Sequence, residues 1–344
     1  MIQNTWKNRF NPSPGTVIRG IWNQNRYQII RELGKGANGA VFLAKGNDTL
    51  VAIKGSDQTS AIISEVNVLK SLAKARGINL GPSLIDVDDW QDGNRKYSFY
   101  VMEFIEGPLL MDFLRKNGGV WLDIFLLQLL NDLDSLHQQG YVFGDLKPEN
   151  LLIAEKSLRI RCIDVGGITS VGRSIREFTE FYDRGYWGLG SRKADPAYDL
   201  FAVAMIIMNT AYPERFPKLE GGLSQLRRMA AQKQELKKYE PILLKAWKGD
   251  YRSAGQMRAD LAEITFRTGT ADIAKPAGQK RSKGGGGAGN SCHFPYDYIN
   301  IFHLFVQSNC RKFVEENPFQ KKNESCTILN NKRKRIWHDD WLFE

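Results

Sequence analysis

Between Tyr27 and Tyr100 the chain alternates apolar and polar positions in short runs broken by turn residues. Tyr27–Leu33 ends at a glycine cluster, Gly39–Ala44 is a second extended run, and Gly46-Asn47-Asp48 has the residues of a tight turn leading into Leu50–Lys54. This pattern predicts a meander of antiparallel strands. From Ser60 to Ala73 the period changes, with Ile62, Val66, Leu69 and Ala73 at helical spacing, so one helix interrupts the strands. Tyr97–Phe104 returns to strand. After Gly107-Pro108 the pattern is helical, and Leu122, Phe125, Leu126, Leu129, Leu133 and Leu136 form a wide apolar face. The prediction is an α+β chain in which a small β-rich part precedes a larger helical one.

Beyond Arg267 the composition shifts twice. Residues 268–291 are polar and basic, include the run Gly284–Gly287, and read as a linker. Residues 292–344 hold three of the four cysteines (Cys292, Cys310, Cys326) and three of the four histidines (His293, His303, His338), a usage unlike the preceding part. A tail of unknown structure is expected there. No internal repeat is present.

Composition narrows the classes. With 344 residues, 42% apolar and 25% charged, the chain can bury one large core or two modest ones, which excludes general disorder, collagen and a small disulfide scaffold. Forty-eight Lys and Arg against 38 Asp and Glu give a net charge of +10, favouring phosphates, nucleic acid or an acidic surface as partners without naming one. The cysteines show no Cys-x-x-Cys spacing, so a reducing compartment is the simpler reading and a zinc site is not expected. Met1–Asn11 lacks a signal-peptide core, and the longest apolar stretches, such as Phe201–Met208, fall short of a membrane span. A cytoplasmic location without a membrane span is the expectation.

Chemistry-bearing residues occur in order. Gly34-Lys35-Gly36-Ala37-Asn38-Gly39, with Val41 after it, lies between two predicted strands, where glycines let backbone N–H groups approach an anion; a plain glycine-rich hairpin is equally open. In Val51-Ala52-Ile53-Lys54, Ala52 and Lys54 share one strand face, so Lys54 can reach beneath that loop. Glu65 stands at the edge of the apolar stripe of the following helix, where a carboxylate can turn inward to a cation. Farther on come Asp145-Leu146-Lys147-Pro148-Glu149-Asn150-Leu151-Leu152 and Asp164-Val165-Gly166.

This ordered set resembles the eukaryotic-like (Hanks-type) protein kinases, from Tyr27 to Arg267. The resemblance implies a two-lobed kinase-like fold, with a small antiparallel sheet and one helix over about 27–105 and a mainly helical lobe over about 106–267. Residues 1–26 become an N-terminal extension. The implied activity is ATP-dependent phosphorylation of serine and threonine on protein substrates, with Mg2+ or Mn2+. The glycine loop from Gly34 to Gly39 would cover the phosphates, Lys54 would grip them, and Glu65 would fix Lys54. Asp145 would take the proton of the attacking hydroxyl, Lys147 would touch the γ-phosphate, and Asn150 and Asp164 would hold the metal. Met102 would set the depth of the adenine pocket, backbone groups of Glu103 and Ile105 would read the adenine edge, and Val41, Ala52 and Leu152 would line it. Thr179 would serve as substrate platform, and Asp199 would brace the catalytic loop.

Departures from the family pattern bear on regulation. Phe143-Gly144 stands where His-Arg is usual, removing the arginine that pairs with a phosphate on the activation segment. Val165 replaces the commoner phenylalanine. No Ala-Pro-Glu follows, so Arg252, which resembles the arginine that normally pairs with that glutamate, is expected to find another carboxylate or solvent. These features suggest a short bacterial member associated with sporulation. Three matters stay open: a small-molecule kinase of the same superfamily, an inactive kinase-fold scaffold that binds nucleic acid, and homodimerisation. Lys280-Arg281-Ser282-Lys283 and Lys332-Arg333-Lys334-Arg335 could add contact with DNA or another polyanion.

Overall fold

The computed structural model describes residues 9–36, 39–74, 80–219 and 221–273. Its first part is a six-stranded antiparallel sheet of β1 (Val17–Arg19), β2 (Arg26–Gly36), β3 (Gly39–Gly46), β4 (Thr49–Ser56), β5 (Leu84–Asp92) and β6 (Arg95–Glu103). The spatial order is β1-β2-β3-β4-β6-β5. The predicted turn after β3 forms as a two-residue hairpin, with Asn47 and Asp48 both at positive φ, 45° and 62°, a conformation that matches the right-handed twist of the flanking strands. Helix α1 (Thr59–Lys74) packs on this sheet.

The sheet begins earlier than the sequence suggests. Residues 1–26 were expected to lie outside the domain, yet β1 pairs with β2, and Phe10 is fully buried with Phe42, Trp90 and Tyr97 around it. The connection from β1 to β2 also reaches the opposite edge. Ile21 N–H donates to the Asp89 carbonyl at 2.9 Å, and the backbone N–H groups of Trp22 and Asn23 donate to the buried Asp88 carboxylate at 2.9 and 2.7 Å. The two edges are thus joined around one apolar interior.

The second part is helical: α2 (Leu110–Asn117), α3 (Trp121–Gln138), α4 (Arg184–Trp187), α5 (Pro196–Ala211), α6 (Gly222–Ala231), α7 (Glu240–Lys248) and α8 (Ala254–Ile273). The predicted face of α3, Leu122 through Leu136, is buried. Helix α5 is buried on nearly every side, which explains why its sequence, LFAVAMIIM, shows no amphipathic period. Between α3 and α4 lie four short strands, β7 (Tyr141–Val142), β8 (Leu151–Ala154), β9 (Arg159–Cys162) and β10 (Thr169–Ser170), which pair as β7 with β10 and β8 with β9. Helix α8 continues to Ile273, so the segment expected as linker from 268 starts as helix. The tail expected over 292–344 lies outside the described residues.

Candidate active site

Strand alternation aims Lys54 inward from β4, opposite Val41 of β3, while Ala52 of the same face pairs with Met102 of β6. The Lys54 ammonium sits 2.8 Å from Glu65 Oε2 on α1 and 3.3 Å from Asp164 Oδ1, so one cation joins sheet, helix and the segment after β9. A further donor, absent from the sequence-based set, completes this cluster: Tyr100 of β6 donates its hydroxyl to Glu65 Oε2 at 2.7 Å. Burial opposes the charge on Lys54, but the carboxylates of Asp164 and Glu65 outweigh it and raise the lysine above its ordinary value. Burial lifts Glu65 above the usual carboxylate range, although Lys54 and Tyr100 pull the other way. Asp164 is held low: its desolvation is outweighed by Lys54 and by the backbone N–H of Gly166. Its side chain is 49% exposed, and only Oδ1 takes part in these bonds.

Above Lys54 the β2–β3 hairpin carries the glycine cluster. A Cβ on Gly39 would stand 3.0 Å from the Gly55 carbonyl and 3.4 Å from Lys54 Cε, so packing favours glycine there. On Gly34 or Gly36 a Cβ would meet nothing within 4 Å, and Lys35 between them is exposed. Those two glycines border open space rather than protein. Ala37 and Asn38 lie outside the described residues.

The catalytic-loop candidate, Phe143–Asn150, hangs from a buried carboxylate. Asp199 of α5 accepts the backbone N–H groups of Phe143 and Gly144 at 2.7 and 2.9 Å, and Oδ2 also meets His137 Nε2 of α3 at 2.8 Å. Gly144 is at φ +83°, and a Cβ there would fall 2.6 Å from the Gly167 carbonyl oxygen. Gly167 in turn leaves no room, since its own Cβ would stand 2.9 Å from that of Asp145. The residue that replaces the expected arginine is therefore a site of close backbone approach.

Asp145 Oδ2 accepts from Lys147 Nζ at 2.5 Å, and Asp145 Oδ1 accepts from Thr179 Oγ1 at 3.3 Å; Lys147 also lies 3.4 Å from Thr179 Oγ1. Asn150 donates its side-chain amide to the Asp145 carbonyl at 3.0 Å and accepts Ile163 N–H on its own carbonyl at 3.0 Å. The loop is thereby tied to the residue preceding Asp164. Ile105 and Leu152 pack in one apolar cluster with Ala154 and Leu109, and Met102 is buried. Glu103, expected to act only through its backbone, uses its side chain: its carboxylate accepts from Arg161 of β9 at 2.8 Å and from Ser83 N–H at 3.1 Å. Its own N–H already donates to the Ser83 carbonyl.

The segment after Asp164 is fixed by backbone pairing. Thr169 faces Val142, Val171 N–H donates to the Gly140 carbonyl, and Ile175 N–H donates to the Arg192 carbonyl at 2.8 Å. Its end is organised by Asp183, a fully buried carboxylate that caps α4 through the N–H groups of Gly185 and Tyr186 and accepts from Arg192 and the Tyr198 hydroxyl. Arg252 is exposed, so solvent satisfies it, as expected for one of its two outcomes. The buried guanidinium near this segment belongs instead to Arg184, paired with Asp195 and bonded to the Ser191 and Lys193 carbonyls. Neither Arg184 nor His137 carries a spacing signal that a single sequence could reveal.

A family model for the protein kinase domain matches residues 27–267. Among curated proteins, the chain is 51% identical over 252 residues to the serine/threonine-protein kinase YabT of Bacillus subtilis (strain 168), an alignment covering 73% of this chain and 75% of that protein. It is 28% identical over 190 residues to cyclin-dependent kinase F-3 of Oryza sativa subsp. japonica, covering 53% of this chain and 43% of the relative. Identity to the serine/threonine-protein kinase cds1 of Schizosaccharomyces pombe is 34% over 146 residues, or 38% and 30% of the two chains.

Proposed function

This chain belongs to the protein kinase family and is a serine/threonine protein kinase, and from that premise we propose how its residues divide the work. Phosphoryl transfer leaves little covalent chemistry to the protein, so positioning and charge stabilisation carry it. Lys54 binds the α- and β-phosphates of ATP, and Glu65, itself held by Tyr100, keeps the ammonium in place. Gly34 and Gly36 let the hairpin backbone close over the phosphates, and the open space beside both supports this role. The adenine lies between Ala52, Met102 and Leu152, where the carbonyl of Glu103 and the backbone of Ile105 offer its polar contacts.

Asp145 accepts the hydrogen bond of the substrate serine or threonine, orients its oxygen toward the γ-phosphorus, and takes its proton as the new O–P bond forms and the bond to ADP breaks. Lys147 stabilises charge on the transferred group, and Thr179 holds Asp145 and Lys147 in register. The family's use of a divalent cation is compatible with the donor set. Asp164 has an exposed carboxylate with one oxygen outside its internal bonds, and Asn150 spends its N–H on Asp145 while its amide oxygen is left over. Among the described residues no group of three or more His, Cys, Asp and Glu side chains could hold a metal by itself, which suits an ion shared with phosphates and water. Mg2+ or Mn2+ would be held by Asp164 and Asn150 and would neutralise charge on the phosphate oxygens.

The observation that carries this reading is the single cation, Lys54, within 3.3 Å of both Glu65 and Asp164. Incubation with labelled ATP and Mg2+ tests it: label on serine or threonine in the parent, and none with Lys54→Ala or Asp164→Ala, is the expected outcome. Equal label in all three would overturn it. The basic runs at 280–283 and 332–335, outside the described residues, are proposed to contact a polyanion, with affinity that falls steeply with salt. No helix among the described residues is long and apolar enough to cross a membrane.

A further inference from the structure

Glu149 lies on the rim of the cleft, on the 3-10 turn Pro148–Asn150, between the residues that contact Asp145 on either side. An exposed carboxylate in that place would attract a cationic side chain of any peptide presenting a hydroxyl to Asp145. Here the place is already taken. Arg215, from the turn after α5, forms an ion pair with Glu149 Oε1 and lies 5.0 Å from the ring centroid of Tyr182. Tyr182 closes the 3-10 turn that begins next to Thr179. The guanidinium therefore bridges the catalytic loop and the turn carrying the threonine that touches Asp145. Arg215 is held at φ +59°, a left-handed conformation that a side chain rarely adopts unless its surroundings impose it. It remains 30% exposed, and Glu149 engages one of its nitrogens.

We propose that Arg215 is a specificity-determining residue: by occupying Glu149 it turns the cleft rim against basic residues and toward serines and threonines flanked by acidic ones. This rests on the kinase reading above and names its substrate class. An independent feature points the same way. Along the neighbouring segment from 173 to 193, Arg173, Arg176 and Lys193 are exposed, against Glu177 and Glu180 as exposed acids, while the exposed Arg192 is paired with the buried Asp183. Exposed cations along this segment thus exceed exposed acids by one, and an acidic flanking residue would meet net positive charge there.

The test is a pair of serine peptides of identical length, one flanked by glutamates and one by arginines, assayed for kcat/KM with the full chain, Arg215→Asn, Arg215→Ala and the double variant Glu149→Gln/Arg215→Asn. Asparagine tolerates the left-handed backbone, and the ratio between two peptides on one preparation cancels any loss of folded enzyme. The parent should favour the acidic peptide. Arg215→Asn should shift the ratio toward the basic peptide by roughly fivefold, the upper end for one solvent-exposed ion pair. The double variant should cancel that gain, because no carboxylate is left to receive an arginine. Parent preference for the basic peptide, or a ratio unchanged by Arg215→Asn, overturns the inference alone. No label on either peptide and no ADP release would overturn the catalytic reading and the inference together.

Discussion

Restoring the missing arginine at position 144 should damage this kinase. Gly144 sits at φ +83°, and a left-handed backbone costs a non-glycine residue about 1–2 kcal/mol. A Cβ would also stand 2.6 Å from the Gly167 carbonyl oxygen, well inside contact distance, and Gly167 cannot retreat because Asp145 lies against it. Relieving that overlap means moving the catalytic loop or the segment after Asp164, at a further cost of about 1–3 kcal/mol, typical of overpacking. Gly144→Ala should therefore destabilise by about 2–5 kcal/mol, which lowers Tm by roughly 4–20 °C in a domain of this size. Gly144→Arg should do at least as much. Because the loop hangs from Asp199 through the N–H of residue 144, kcat should fall more than KM for ATP changes. Thermal unfolding by circular dichroism and steady-state kinetics on the two variants provide the check. A Tm within 2 °C of the parent, roughly the shift expected from under 1 kcal/mol, would refute the packing argument.

Tyr100→Phe removes a hydroxyl that lowers the pKa of Glu65, so Glu65 should protonate at higher pH and release Lys54 sooner on acidification; the acid limb of kcat/KM should move to higher pH, and an unmoved limb would count against the role of Tyr100. Asp164, held low by Lys54, should stay charged through the same range. Lys54→Met leaves Glu65 buried without its cation and should lower stability by about 3–5 kcal/mol, with much of the loss recovered in Lys54→Met/Glu65→Gln, as calorimetry would show. Asp199→Ala orphans two buried N–H groups and should cost about 1–3 kcal/mol for each, read as a lower denaturation midpoint and a fall in kcat.

The motifs were legible because their chemistry is written locally. Strand alternation placed Ala52 and Lys54 on one face and helical period put Glu65 at an inward edge, but it was the family resemblance that paired Glu65 with Lys54, and the 2.8 Å contact agrees with it. What escaped is long-range. Tyr100 reads as an ordinary strand aromatic until α1 brings Glu65 to its hydroxyl, and His137 and Asp199 meet across 62 positions of sequence. Arg252 was chosen by analogy for a role in which burial, invisible in a sequence, selects Arg184 and Asp195 instead. Gly144 could be seen as a missing arginine; only the approach of Gly167 reveals why nothing larger fits.

The joined edges of the sheet decide where this gene can be cut. Trimming it at Tyr27, where the family match starts, would withdraw Phe10 and Ile18 from the interior and strip Asp88 of two donors. The shortened product would carry a hollow, an uncovered β2 backbone and a stranded acid, and it should aggregate on expression, whereas a boundary ahead of Phe10 retains the plug.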